Sequence, residues 1–299
     1  MIIKPSRLEL GDTIGIIAPA GPVTRDEIQP AIDLVKKKGY KILLSPNLYK
    51  KRGYLAGNDE ARLDDLLAMF SNKKVKAVFC ARGGYGAIRL IDRIDYDVIR
   101  KNPKIIAGYS DITALLFAIF KNTGLVTFHG PVLRNFTQGR KNNLDHLLKL
   151  LSSETPHVMD LSNGSVIKQG HASGLVLGGN LSLICSLAGT PFMPRTKGAI
   201  LFIEDKGEPL YRIDRMLNHL RLTGIINDLS GLIAGNFTNC GDIKDIDKIL
   251  KNITSDVDIP VISGLPAGHG KENKTIPIGI HADIKTEDKH LSFLETCVS

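Results

Sequence analysis

The chain has 299 residues, of which 43% are apolar and 23% charged, so it is long enough for two domains and apolar enough to exclude disorder. Its formal charge of +8 comes from scattered Lys and Arg, which reads as a solvated basic surface. With aromatics at 6% and no Trp, it lacks a stacking platform for single-stranded nucleic acid. No nucleic-acid partner is expected.

The longest apolar runs, such as Thr113 to Phe120, fall far short of the roughly 20 residues a membrane-spanning helix needs. The start, Met1-Ile2-Ile3-Lys4-Pro5, shows none of the three regions of a signal peptide. Cys80, Cys185, Cys240 and Cys297 form no CxxC pair, so neither a disulfide framework nor a zinc knuckle is expected. These features fit a reducing, cytoplasmic setting without a membrane partner. No HExxH or HxH pattern occurs, and neither a metal nor a cofactor is expected.

In chain order, Thr13 to Ala18 reads as a short apolar strand closed by the turn Pro19-Ala20-Gly21-Pro22. Thr24-Arg25-Asp26-Glu27 is a capping box. The helix it opens carries Ile28, Ala31, Ile32 and Val35 on one face and stops at Gly39. Tyr40 to Leu44 is the next strand. Asn58-Asp59-Glu60 opens a second amphipathic helix with Leu63, Leu66, Leu67 and Phe70 inward. Val75 to Cys80 is a strand, followed by Arg82-Gly83-Gly84-Tyr85-Gly86 and a further helix. Lys104 to Ala107, a helix from Asp111 to Phe120, and Leu125 to Phe128 complete the first half. Strands alternating with helices in this way predict a parallel sheet covered on both faces.

Residues from Thr137 to Gly170 are more polar and read as a less regular connection. The second half begins near His171. Gly178-Gly179-Asn180 precedes a helix from Leu181 to Ala188, and Ala199 to Ile203 is a strand. Pro209 to Leu222 is a helix with Leu210, Ile213, Leu217 and Leu220 sharing a face. Leu232 to Ala234, Thr275 to Ile280 and Leu291 to Leu294 are candidate strands.

Four places can carry chemistry. At Gly108-Tyr109-Ser110-Asp111 an apolar strand turns sharply into a helix. A Ser there lies beside free N–H groups able to stabilise an oxyanion, that of Asp111 among them. This is half of a nucleophile elbow, since Ile112 stands where the second Gly would be. On this turn alone, a helix cap is the commoner role for Ser110. Next, Ile203-Glu204-Asp205 ends a strand in two carboxylates. Glu204 can orient a histidine, or the pair can form an acidic turn before the following helix.

Third, His269 sits between glycines in Gly264-Leu265-Pro266-Ala267-Gly268-His269-Gly270. That reads as a loop that brings the ring to another domain. His129, before Gly130-Pro131, is a second candidate. Fourth, the glycines after Arg82 can present N–H groups to an anion. Arg82 can grip a carboxylate through two hydrogen bonds or serve as a structural ion-pair partner. The segment is not GxGxxG, so a dinucleotide-binding oxidoreductase is disfavoured.

Together and in order, these blocks resemble the LD-carboxypeptidase family of serine peptidases. The likeness spans nearly the whole chain: Ala18-Pro19-Ala20-Gly21, Leu55-Ala56-Gly57-Asn58-Asp59-Glu60-Ala61-Arg62, Ala81-Arg82-Gly83-Gly84-Tyr85-Gly86, Gly108-Tyr109-Ser110-Asp111, Gly178-Gly179-Asn180-Leu181, Glu204-Asp205 and Gly264-Leu265-Pro266-Ala267-Gly268-His269. The resemblance implies Ser110 as nucleophile, Glu204 as acidic member and His269 as base. With those roles, the N–H groups of Gly84 and Asp111 are the expected oxyanion hole, and Arg82 the expected grip on the substrate carboxylate.

The same resemblance implies an α/β protein of two domains and a homodimer. A parallel-sheet domain of Rossmann/flavodoxin-like type over 1–136 carries the nucleophile. A connection over 137–170 leads to a mixed α/β domain over 171–299 with the acid and the base. The implied substrate is a murein tetrapeptide, cut before its terminal D-alanine during cell-wall recycling in the cytoplasm. Two other readings compete. The microcin C immunity branch of the same family cleaves an amide in a peptidyl nucleotide, and the absence of Trp argues against its nucleobase. A non-catalytic muropeptide sensor would not require Ser110, Glu204 and His269 together.

Overall fold

The computed structural model describes residues 1–137 and 141–299. Positions 138–140 of the predicted connection lie outside the described residues. The first half begins with β1 (Thr13–Ile17), whose Ile14, Ile16 and Ile17 are fully buried, as a strand covered on both faces requires. Helix α1 (Arg25–Lys37) starts at the capping box: the Thr24 N–H donates to the Glu27 carboxylate at 2.8 Å, and the Glu27 N–H donates to the Thr24 hydroxyl at 3.3 Å. It buries Ile28, Ala31, Ile32 and Val35. Then come β2 (Lys41–Leu44), α2 (Asp59–Ser71), β3 (Val75–Cys80), α3 (Tyr96–Lys101), β4 (Ile105–Gly108), α4 (Ile112–Thr123) and β5 (Thr127–His129).

The remainder runs α5 (Lys141–Leu151), β6 (Val158–Asp160), β7 (Ser165–Lys168), β8 (His171–Asn180), α6 (Leu181–Leu187), β9 (Ile200–Lys206), α7 (Leu210–Leu222), α8 (Ile225–Asp228), β10 (Gly231–Thr238), α9 (Ile243–Ile253), β11 (Val261–Gly268), β12 (Ile276–Ile278), β13 (His281–Lys285) and β14 (His290–Phe293).

Two sheets organise these elements. The first has the order β12-β5-β4-β3-β1-β2. Its strands β1 to β5 are mutually parallel, in the 2-1-3-4-5 order of flavodoxin-like folds. Its last edge comes from far along the chain, where β12 pairs antiparallel with β5. The second sheet has the order β6-β14-β13-β8-β9-β10-β11-β7. Its central strands β8 to β11 are parallel and its flanks antiparallel. The fold is thus α/β with one mainly parallel and one mixed sheet. No helix among the described residues is long and apolar enough to cross a membrane.

Several expectations are corrected. The segment after Gly86 is a single 3₁₀ turn, Ala87–Arg89, too short to carry a helix dipole. The connection holds helix α5, with Leu144, Leu147 and Leu151 buried, and two strands. Strands β8 and β13 and helix α9 have no counterpart among the expected elements. Finally, Gly264 to Gly268 is not loop but the end of β11.

Candidate active site

The parallel strands of both sheets direct their carboxyl ends to one region, where functional groups gather in open α/β folds. From the first sheet, β4 ends at Gly108 and α4 starts at Ile112. Between them Ser110 adopts φ +64°, the left-handed region a non-glycine residue occupies at a cost. Asp111, not Ser110, holds the N-cap position, and no side chain caps the helix. The turn therefore has the backbone of a nucleophile elbow, and the capping role of Ser110 is excluded.

Asp111 fastens this elbow to the loop after β3. Its carboxylate is buried and accepts the Ala87 N–H at 2.7 Å. Burial raises the Asp111 carboxyl to about 6, even though the Ala87 and Gly86 N–H groups and the Arg62 charge pull it down. The glycines of that loop come close to the nucleophile. A Cβ added to Gly83 would stand 3.2 Å from Ser110 Oγ and 3.0 Å from its Cβ. The Gly83 carbonyl accepts the Gly21 N–H at 2.9 Å.

From the second sheet, Glu204 lies in β9 and is completely buried. His269 lies one residue beyond β11 and is half-buried. His269 Nδ1 is 2.7 Å from Glu204 Oε2, and the His269 backbone N–H donates to the same oxygen at 3.1 Å. The other oxygen, Oε1, has Asn180 Nδ2 at 3.4 Å and His129 Nε2 at 3.7 Å. Burial alone would raise the Glu204 carboxyl, but the His129 and His269 rings facing it more than offset this and hold it down at about 2. Glu204 is thus ionised. With a carboxylate on Nδ1, the imidazole keeps its proton there and offers Nε2 as a base.

The two halves meet at a cavity of about 300 Å³ lined by Arg82, Gly83, Gly84, Ser110, Arg134, Lys206 and His269, among others. The Tyr109 ring packs 4.8 Å from that of His269. Ser110 and His269 share the cavity, and no hydrogen bond joins them among the described residues. Catalytic hydrogen bonds are often loose before substrate binds.

Arg82 donates through Nη1 to the Pro22 carbonyl at 3.0 Å, which steadies the side chain beside the cavity. Arg134 Nη2 is 3.1 Å from Glu27 Oε1. Every residue singled out from the sequence for chemistry here, Arg82, Gly84, Ser110, Asp111, Glu204, His269 and the second histidine candidate His129, falls in this region. The sequence reading missed Arg134 and Lys206, which carry no motif of their own, and Asn180, whose side chain also reaches Asp205 at 3.0 Å.

Comparison with known proteins gives a consistent picture. Residues 14–130 match the LD-carboxypeptidase N-terminal domain and residues 173–284 the LD-carboxypeptidase C-terminal domain. The chain is 40% identical over 297 residues to a probable murein peptide carboxypeptidase of Bacillus subtilis, covering 96% of this chain and 92% of that one. Among solved structures, a muramoyltetrapeptide carboxypeptidase from Oxalobacter formigenes superposes with a TM-score of 0.84 at 33% identity, covering 94% of this chain and 97% of that one. An MccF-like protein from Bacillus anthracis superposes with a TM-score of 0.93 at 29% identity, covering 98% of this chain and 99% of that one.

Proposed function

Starting from the fact that the chain belongs to the LD-carboxypeptidase family and is a serine carboxypeptidase, we propose that it releases the terminal D-alanine from murein tetrapeptides through a triad of Ser110, His269 and Glu204. The observation that supports this most is the shared cavity, where a left-handed Ser110 at a strand–helix turn meets a His269 already bonded to buried Glu204.

His269 Nε2 takes the proton of Ser110 Oγ as that oxygen attacks the peptide carbonyl. The tetrahedral oxyanion is held by the N–H groups of Asp111 and Gly84. A trans peptide points its N–H opposite to its C=O, so with the Gly83 carbonyl on Gly21 the Gly84 N–H is directed away from Gly21. The C–N bond then breaks, and D-alanine leaves with the proton from His269. Water, deprotonated by the same ring, hydrolyses the Ser110 ester and frees the tripeptide. Glu204 fixes the tautomer and stabilises the imidazolium. Arg82, steadied on Pro22, takes the D-alanine carboxylate.

The same reading includes a division into domains over 1–136 and 171–299 joined through 137–170, a cytoplasmic place in cell-wall recycling, and a homodimer. Light scattering on the purified protein tests the last. The close superposition on the MccF-like protein favours a second reading, an amidase acting on a peptidyl nucleotide with the same three residues. Comparing kcat/KM on a tetrapeptide ending in D-alanine with that on a peptidyl-nucleotide amide separates the two. The carboxypeptidase reading requires the tetrapeptide to be the better substrate, and the reverse order would replace it.

A further inference from the structure

His129 is fully buried, and neither of its ring nitrogens has a hydrogen-bond partner among the described residues. Leaving a buried donor unpaired costs the desolvation of that group, so such a side chain calls for an explanation. Its place supplies one. His129 ends β5 of the first sheet, yet its ring reaches the second sheet. Nε2 stands 3.7 Å from Glu204 Oε1, and the ring packs 5.2 Å from that of Phe202 on β9. On its own side it packs edge-on to Tyr109, at 6.1 Å, and Tyr109 adjoins Ser110. The ring therefore spans the boundary between the nucleophile and the acid–base pair.

We propose that His129 is a positioning residue that acts through Glu204: its Nε2–H donates to Oε1, fixes the carboxylate from the side opposite His269, and so couples the acid–base pair to the sheet that carries Ser110. The proposal rests on the triad reading above. Oε2 is occupied twice by His269, whereas Oε1 has only the longer Asn180 contact at 3.4 Å. A donor at Oε1 fills that vacancy and gives the Nε2–H of His129 its partner at once. The 3.7 Å approach closes to a hydrogen bond as the site tightens around substrate. The titratable groups facing His129 are Glu204 from β9 and Tyr109 beyond β4, with His269 beyond β11 sharing the carboxylate. β8 and β12 present Gly179 and Ile276 at their points of approach.

A direction follows for the reaction. A donor on Oε1 draws negative charge away from Oε2, and so lowers the basicity that Glu204 confers on His269. Losing the donor strengthens the pull of Glu204 on the imidazolium. His269 then keeps its proton to higher pH, and the acid limb of kcat/KM moves upward.

The test uses the full chain and a D-alanine-ending tetrapeptide. His129→Phe keeps the ring packing and removes the donor, whereas His129→Gln places an amide N–H near the Nε2 position. His129→Phe is expected to lose about tenfold to a hundredfold in kcat/KM, the scale of a hydrogen bond to a charged group, and to move the acid limb upward. His129→Gln is expected to restore most of the rate and the wild-type limb. Should His129→Phe fail to fold, as thermal unfolding would reveal, His129→Asn takes its place, because its amide stops short of Glu204. In a Glu204→Gln background, removing the His129 donor is expected to cost less than twofold. A loss in His129→Phe without a moved limb, or a Gln variant as poor as the Phe variant, overturns the role of His129. Wild-type activity in Glu204→Gln instead overturns the triad reading on which the proposal rests.

Discussion

Glu204 Oε2 receives His269 twice, from Nδ1 at 2.7 Å and from the backbone N–H at 3.1 Å. The second bond ties the carboxylate to the main chain that carries the ring, so the pair moves as one body. Glu204→Gln breaks this arrangement electrostatically while keeping its shape. We expect kcat to fall by about 10³ to 10⁴, as when the acidic member of such a triad is neutralised, with KM little changed. Steady-state kinetics on a tetrapeptide checks this, and a fall confined to KM would speak against the role.

The pair also depends on Gly268. This residue has φ +100°, and an added Cβ would collide with Glu204 Oε2. Gly268→Ala therefore has to push the carboxylate or the His269 backbone aside. Small misplacements of catalytic groups cost on the order of a hundredfold. A loss of that size in kcat is expected, and a variant with kcat within twofold of wild type would show the collision to be absorbed elsewhere.

The left-handed backbone of Ser110 (φ +64°) makes a prediction about stability that is independent of turnover. Ser110→Gly and Ser110→Ala both lose the nucleophile. Only the glycine relieves the strain of φ > 0, which costs a non-glycine residue about 1–2 kcal/mol, although glycine gives back part of that in the unfolded chain. Ser110→Gly should be the more stable of the two inactive variants by about 1 kcal/mol in denaturant unfolding.

Asp111 sets a dependence of stability on pH. Its folded pKa, raised to about 6 by burial, exceeds the ordinary 3.8. A raised pKa means that the folded state binds the proton more tightly, so the Asp111 contribution is fully present below pH 3.8 and is lost as the pH rises through 6. Asp111→Asn keeps an acceptor for the Ala87 N–H and carries no charge to desolvate. It should be more stable than wild type at pH 7 by up to about 3 kcal/mol, and its advantage should shrink between pH 6 and 4. Chemical denaturation at pH 7 and pH 4 measures both.

Much of the first sheet was legible because its elements are locally consistent. The Thr24–Glu27 box, the apolar face of α1 and the continuous apolar strands β1 and β3 all point to one parallel sheet. Ser110 was legible as a position but not as a conformation, since cap and nucleophile share the same sequence context. The second sheet was harder to read. Pro266 and the two glycines Gly264 and Gly268 hide the end of β11, where the pairing with β10 shifts register and so tolerates them. β8 is similarly masked by Gly174, Gly178 and Gly179, which pack against backbone or side chains with no room for a Cβ. The expectation of a helix after Gly86 failed because the chain there is pinned to Asp111 instead. The roles of His129 and Asn180 depend on contacts between distant segments, which no local spacing encodes.

The most direct measurement is the release of free D-alanine from an L,D-tetrapeptide by the wild-type protein and by Ser110→Ala. Release by the wild type, with a loss of at least a thousandfold in the variant, is the predicted result. Equal release by both proteins would contradict Ser110 as nucleophile, and no release by either would contradict the carboxypeptidase reading itself.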